Sequence, residues 1–132
     1  MGIAKKILII DDELDILSYF EAIFQDNGYD AVSAMNGVVG FDLAKSEKPD
    51  LMTLDITMPT QSGLKLYWQY KLHPELKHIP VIIITAVDDF MGAYFDELKD
   101  LGPPKGIFYK PIDSRKIMKL IAEILSDSKL IF

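Results

Sequence analysis

The chain contains no cysteine, which excludes disulfides, thiol nucleophiles and cysteine-ligated zinc. It has no apolar run of the roughly 18–20 residues that a bilayer span needs. No long apolar stretch precedes a cleavage site near its start, so a secretory signal is not expected either. A cytoplasmic location and no membrane partner follow as the default. Basic residues are outnumbered, 14 Lys and Arg against 20 Asp and Glu, for a net charge of −6. That balance argues against nucleic acid as a direct partner, because phosphate backbones attract basic surfaces. Repeats, low-complexity tracts and linkers are absent. Histidine is scarce: His73 and His78 flank the polar stretch HPELKH and read as solvated, with no metal or catalytic role. Also missing is the Gly/Ser/Thr-rich phosphate loop that nucleotide and flavin binders carry after their first strand.

What remains is an ordinary globular composition, 49% hydrophobic and 26% charged over 132 residues, enough for one domain with one core. We expect that domain to fill 1–132, with its core over about 5–126. Residues 6–10 read as a buried strand that runs straight into Asp11, Asp12 and Glu13. Three carboxylates at one spot repel each other, and any that lose water need compensation. Either they are solvated and favour the start of a helix, or something positive belongs there.

Periodicity orders the rest. Ile16, Phe20, Ile23 and Phe24 form the apolar stripe of a helix over about 13–27, with Leu14 and Leu17 on the other side and Gly28 to end it. A polar strand spans 30–34. A helix over about 37–46 is weakened by Gly40. A third strand, 51–54, ends at Asp55. Leu64, Trp68 and Leu72 mark a third helix, and Trp68 and the six methionines read as core. An apolar strand over 81–84 ends at Thr85. Phe90, Met91, Tyr94, Phe95 and Leu98 mark a fourth helix. A short strand over 107–109 leads to Lys110-Pro111, and Ile117, Leu120, Ile121, Ile124 and Leu125 mark the last helix.

Strict alternation of strands and helices implies right-handed crossovers, hence a five-stranded parallel sheet with helices on both faces. Strands one, three and four are apolar throughout, as burial on two faces requires. The polar second strand suits an edge, which gives the order 2-1-3-4-5 of a doubly wound α/β fold. In such a sheet every strand ends at one edge, where ligands bind. Asp11, Asp12, Asp55, Thr85 and Lys110 therefore converge. Carboxylate oxygens suit a hard cation such as magnesium, which keeps waters and binds phosphate. With Lys110 and the Thr85 hydroxyl they form an apparatus for stabilising charge on a transferred phosphoryl group, and Asp55 is the natural carboxylate nucleophile. Each residue alone has a plainer reading: helix start, loop, β-branched strand residue or turn. The case rests on all five at one edge.

At this point the chain resembles the receiver domain of bacterial two-component response regulators, of the single-domain chemotaxis-regulator type. The matching stretches are ILIIDDE at 7–13, PDLMTLDITMPTQSG at 49–63, IIITA at 82–86 and YKPID at 109–113. The resemblance implies a flavodoxin-like (βα)5 three-layer sandwich and a phosphorylatable regulatory domain, catalysing only its own phosphotransfer and autodephosphorylation. It implies Asp55 as phosphoacceptor. It implies Mg2+, or Mn2+ in its place, on Asp12, Asp55 and the Thr57 carbonyl, with Asp11 acting largely through water. Thr85 would turn to the phosphoryl group and Lys110 pair with it, before a cis Lys110–Pro111 bond. Met58, Pro59 and Gly63 would shape the loop after the acceptor. Thr57 and Val87 would flank the hydrolytic water. The family's aromatic three residues before the lysine is here Ile107. The implied partners are a sensor histidine kinase or phosphotransfer protein and a downstream effector protein or a missing effector domain. Three rivals stand beside this reading: a fragment of a larger regulator or hybrid kinase, a flavodoxin-like cofactor binder, and a pure docking module.

Overall fold

The computed structural model describes residues 3–56, 63–86, 100 and 102–126. Thr57, Met58, Pro59, Val87 and the helix expected over 90–98 lie outside the described residues. The strands are β1 (Lys6–Ile10), β2 (Asp30–Ala34), β3 (Leu51–Asp55), β4 (Val81–Thr85) and β5 (Gly106–Tyr109). The described helices are α1 (Leu14–Asp26), α2 (Gly37–Glu47), α3 (Gly63–Leu72) and α4 (Ser114–Leu125). All strand pairings are parallel, and the sheet order is β2-β1-β3-β4-β5, as the pattern requires.

The alternation of side chains along each strand explains why β1 is apolar throughout. Ile7 and Ile9 pack with Leu17, Phe20 and Phe24 of α1 and Ile117 and Ile121 of α4. Leu8 and Ile10 face the other way, onto Ala44 of α2 and Leu66, Tyr67 and Tyr70 of α3. Both cores share β1, β3 and β4, so these strands have no wet face.

Helix ends follow local chemistry. Gly28, with φ +88°, ends α1 as expected, since glycine enters the left-handed region without strain. The Asn36 side chain accepts the Val39 N–H at the start of α2, and Asp113 accepts those of Arg115 and Lys116 at the start of α4. Gly40 is required for space: a Cβ there would lie 2.7 Å from Cδ1 of Ile10. The missing side chain that lowers its helix propensity is what lets α2 lie close on β1.

Two amphipathic assignments are corrected. In α1, Leu17 belongs to the buried face with Phe20 and Phe24, while Ile16 and Ile23 flank it, partly buried. In α3 the expected row Leu64-Trp68-Leu72 is not the core stripe at its two described side chains, Leu64's lying outside the described ones. Leu72 is 69% and Trp68 39% exposed, and Leu66, Tyr67 and Tyr70 are buried instead. Two tyrosine hydroxyls made the true core face look polar. Met52 is core as expected, whereas Met35 is exposed.

Candidate functional site

β1 and β3 are neighbours, with Ile10 beside Leu54. Each runs one residue further into an aspartate. Asp11 and Asp55 are almost fully buried, with side chains 2% exposed. By the alternation that turns Ile9 and Leu51 toward α1 and α4, both carboxylates lie on that flank of the sheet. Two such groups side by side need a counter-charge, and the chain supplies one from β5. The N–H of Lys110 donates to the Thr85 carbonyl at 2.8 Å, which ties the end of β5 to that of β4. The Lys110–Pro111 bond is cis, as the resemblance implied. The Lys110 ammonium lies 3.1 Å from Asp11 Oδ2, 3.2 Å from Asp55 Oδ2 and 2.6 Å from Glu13 Oε1.

Burial is the first influence on Asp11: it pushes the carboxyl up to about 6, helped by Asp55 and opposed by the Glu13 backbone N–H and by Lys110. Burial works against the Lys110 ammonium. Its bond to Glu13 and the charges of Asp55 and Asp11 outweigh that, so Lys110 holds its proton more firmly than an ordinary lysine. Asp11 is committed at both oxygens: Oδ1 accepts the Glu13 N–H at 2.9 Å, and Oδ2 faces Lys110.

The structure thus brings Asp11, Asp12, Asp55 and Lys110 together. Thr85 is fully buried at the neighbouring strand end. Gly63 opens α3, while Thr57, Met58 and Pro59 lie outside the described residues. Four carboxylates here are close enough together to hold a cation. One carboxylate oxygen from each of Asp11, Asp12, Glu13 and Asp55 can be chosen so that all lie within 4.8 Å of one another. Oxygens on opposite sides of a magnesium ion stand about 4.2 Å apart, so the cluster is close to the size of one shell. It also offers hard oxygen donors only, which fits that ion. The sequence counts Glu13 among three crowded carboxylates, but the expected site residues do not include it. No sequence signal could show that its side chain turns from α1 to meet Lys110 across 97 positions.

Known proteins share the family and the fold. A family model described as response regulator receiver domain matches residues 7–122. The polar-differentiation response regulator DivK of Brucella anthropi is 32% identical over 124 residues, 94% of this chain and 98% of the relative. That of Brucella ovis is 31% identical over the same shares. Among solved structures, the chemotaxis protein CheY4 of Vibrio cholerae aligns with a TM-score of 0.83 at 23% identity, over 93% of this chain and all of that one. A CheY-like receiver domain protein from Methanospirillum hungatei aligns at 0.82 and 25% identity, over 98% of this chain and 100% of its own.

Proposed function

Because this chain belongs to the response regulator receiver domain family, the phosphoacceptor signalling switches of two-component systems, we propose that Asp55 is the residue that takes the phosphoryl group. One observation carries this: Asp55 ends the central strand, buried, with its Oδ2 3.2 Å from the Lys110 ammonium and a cation-sized acidic cluster around it. A histidine kinase or phosphotransfer protein would present a phosphohistidine. A carboxylate oxygen of Asp55 forms the new O–P bond as the P–N bond to imidazole breaks, and the imidazole leaves with the bonding electrons. Lys110 neutralises charge that develops on the phosphoryl oxygens, and Thr85 gives a hydroxyl bond to the bound group. Asp12, Asp55 and the Thr57 carbonyl would hold magnesium, with Asp11 acting through water. When bound, that ion offsets the carboxylate charge and the negative charge of the phosphoryl oxygens. Manganese, also an oxygen-binding ion, would substitute.

Water later cleaves the acyl phosphate in the same pocket, so the chain processes only its own modification. The added charge, close to two negative units, biases the loop after β4, and the readout is altered affinity for an effector in the cytoplasm. A flavodoxin-type binder is disfavoured because Asp11-Asp12-Glu13 stands where it would cradle phosphate. Labelling by a small phosphodonor with magnesium tests the assignment. Asp55→Ala is expected to abolish it, and labelling that survives undiminished would refute Asp55 as the acceptor.

A further inference from the structure

We infer that Glu13 is a positioning residue for Lys110: it holds the ammonium at the outer side of the acidic cluster and competes with the phosphoryl group for it, slowing phosphorylation of Asp55. The inference rests on the reading of Asp55 as acceptor and deepens it.

Glu13 occupies the N-cap position of α1 in an extended conformation, φ −96° and ψ 116°, yet its side chain makes no capping bond. N-cap side chains ordinarily accept a helix N–H. This one is turned away from the helix, and its Oε1 is the nearest of the three carboxylate partners of Lys110, at 2.6 Å against 3.1 and 3.2 Å. An ammonium has three N–H donors, and three carboxylates already face this one. Before the O–P bond forms, an incoming phosphoryl group brings new anionic oxygens to the same cation while Asp55 is still a carboxylate, so an existing partner has to yield.

Asp55 is the attacking group and stays in place, and the other two partners are not equally able to let go. The Asp11 side chain is 2% exposed, and its other oxygen is bonded to the Glu13 N–H. It has no water to turn to. Glu13 is 56% exposed, so solvent can replace the ammonium at its carboxylate with little loss. Glu13 is therefore the partner released, and its hold on Lys110 is a barrier to be overcome each time the site is loaded. With the Glu13 charge removed, Asp11 and Asp55 still draw Lys110 inward, toward the place the phosphoryl group takes.

The test is the rate of labelling by acetyl phosphate at saturating magnesium, for wild type, Glu13→Gln, Lys110→Ala and the double variant, with Asp55→Ala as the control. Glu13→Gln is expected to label roughly two- to fivefold faster, the range for an ion pair with one exposed partner. In the Lys110→Ala background the same substitution should change nothing, since the two act as a unit. In the metal-free protein, the side-chain ammonium signal of Lys110 in proton–nitrogen spectra should lose exchange protection in Glu13→Gln. A rate that is unchanged or slower, or an equal gain without Lys110, would overturn the role of Glu13. Surviving label in Asp55→Ala would instead overturn the acceptor assignment.

Discussion

Both edges of the sheet set a lysine against carboxylates, and the two clusters are alike in bonds but not in setting. At the amino edge, the Lys6 ammonium lies 2.8 Å from Glu47, with the two side chains 30% and 37% exposed. The Lys6 backbone N–H donates to Asp50 at 2.8 Å. One cation meets one carboxylate in water, and the bond to Glu47 raises the lysine above its ordinary value. Little stability is expected from such a pair. At the carboxyl edge, one ammonium 13% exposed faces Asp11, Glu13 and Asp55, with Asp12 alongside. The carboxylates outnumber the cation, and water is excluded from Asp11 and Asp55. That edge is poorly balanced by its own residues, which is the condition under which a divalent cation and a phosphoryl group have work to do. Charge ratio and access to water, rather than bond length, separate a surface staple from a reactive site.

The sharpest way to break this contrast is to remove each lysine in turn. Lys110→Ala leaves Asp11 and Asp55 buried without their cation. In metal-free protein at neutral pH we expect a loss of roughly 3 kcal/mol by chemical denaturation, the low end for breaking a buried pair because Asp11 can take up a proton. Labelling should fall by about 10²–10³, as on loss of a charge-stabilising donor. Lys6→Ala should change neither labelling nor the denaturation midpoint appreciably. Equal effects of the two substitutions would mean that setting does not matter.

Acidity sharpens it next. The Asp11 carboxyl titrates at about 6 in the fold against about 3.9 when unfolded. The folded state therefore holds a proton through that window which the unfolded chain has released. Stability in the metal-free protein should thus be greatest, as far as this group is concerned, below pH about 4, and fall as pH rises through 6. The full amplitude is about 3 kcal/mol, from two units at 1.36 kcal/mol each. Asp11→Asn should flatten the slope and stabilise the metal-free protein at pH 7. Magnesium should reverse the slope, because the ion prefers the ionised cluster. A metal-free protein whose stability rises from pH 4 to 7 by the same amount would mean that Asp11 is compensated after all.

The same contrast separates what the sequence reveals from what it conceals. The sheet was legible because β1, β3 and β4 are buried on both faces, so unbroken apolar runs such as VIIIT have no other home. Asp11, Asp12, Asp55 and Lys110 were legible because topology alone brings strand ends to one edge. The faces of α1 and α3 were less so. Periodicity gives a row of side chains but not which row turns inward. In α3 the buried row carries Tyr67 and Tyr70, while the apolar Leu72 faces water. The pairing of Glu13 was concealed for a different reason: the sequence crowds it with Asp11 and Asp12 at a helix start, and only the turn of its side chain shows that it meets Lys110.

Those two tyrosines supply the smallest test, and they ask what a buried hydroxyl costs with a partner and without one. Both are buried on the same face of the sheet. The Tyr67 hydroxyl donates to the Gly102 carbonyl, holding the turn before β5 onto α3. The Tyr70 hydroxyl has no hydrogen-bond partner among the described residues, and its ring stacks on Phe41 with centroids 5.6 Å apart. Tyr67→Phe should cost about 1 kcal/mol, an ordinary net hydrogen bond plus an orphaned carbonyl. Tyr70→Phe should be neutral or stabilising by up to about 1 kcal/mol, since it removes a desolvated hydroxyl without disturbing the ring. Labelling of Asp55 should be unchanged in both. If Tyr70→Phe destabilised as much as Tyr67→Phe, its hydroxyl would have a partner, a bound water being the natural one.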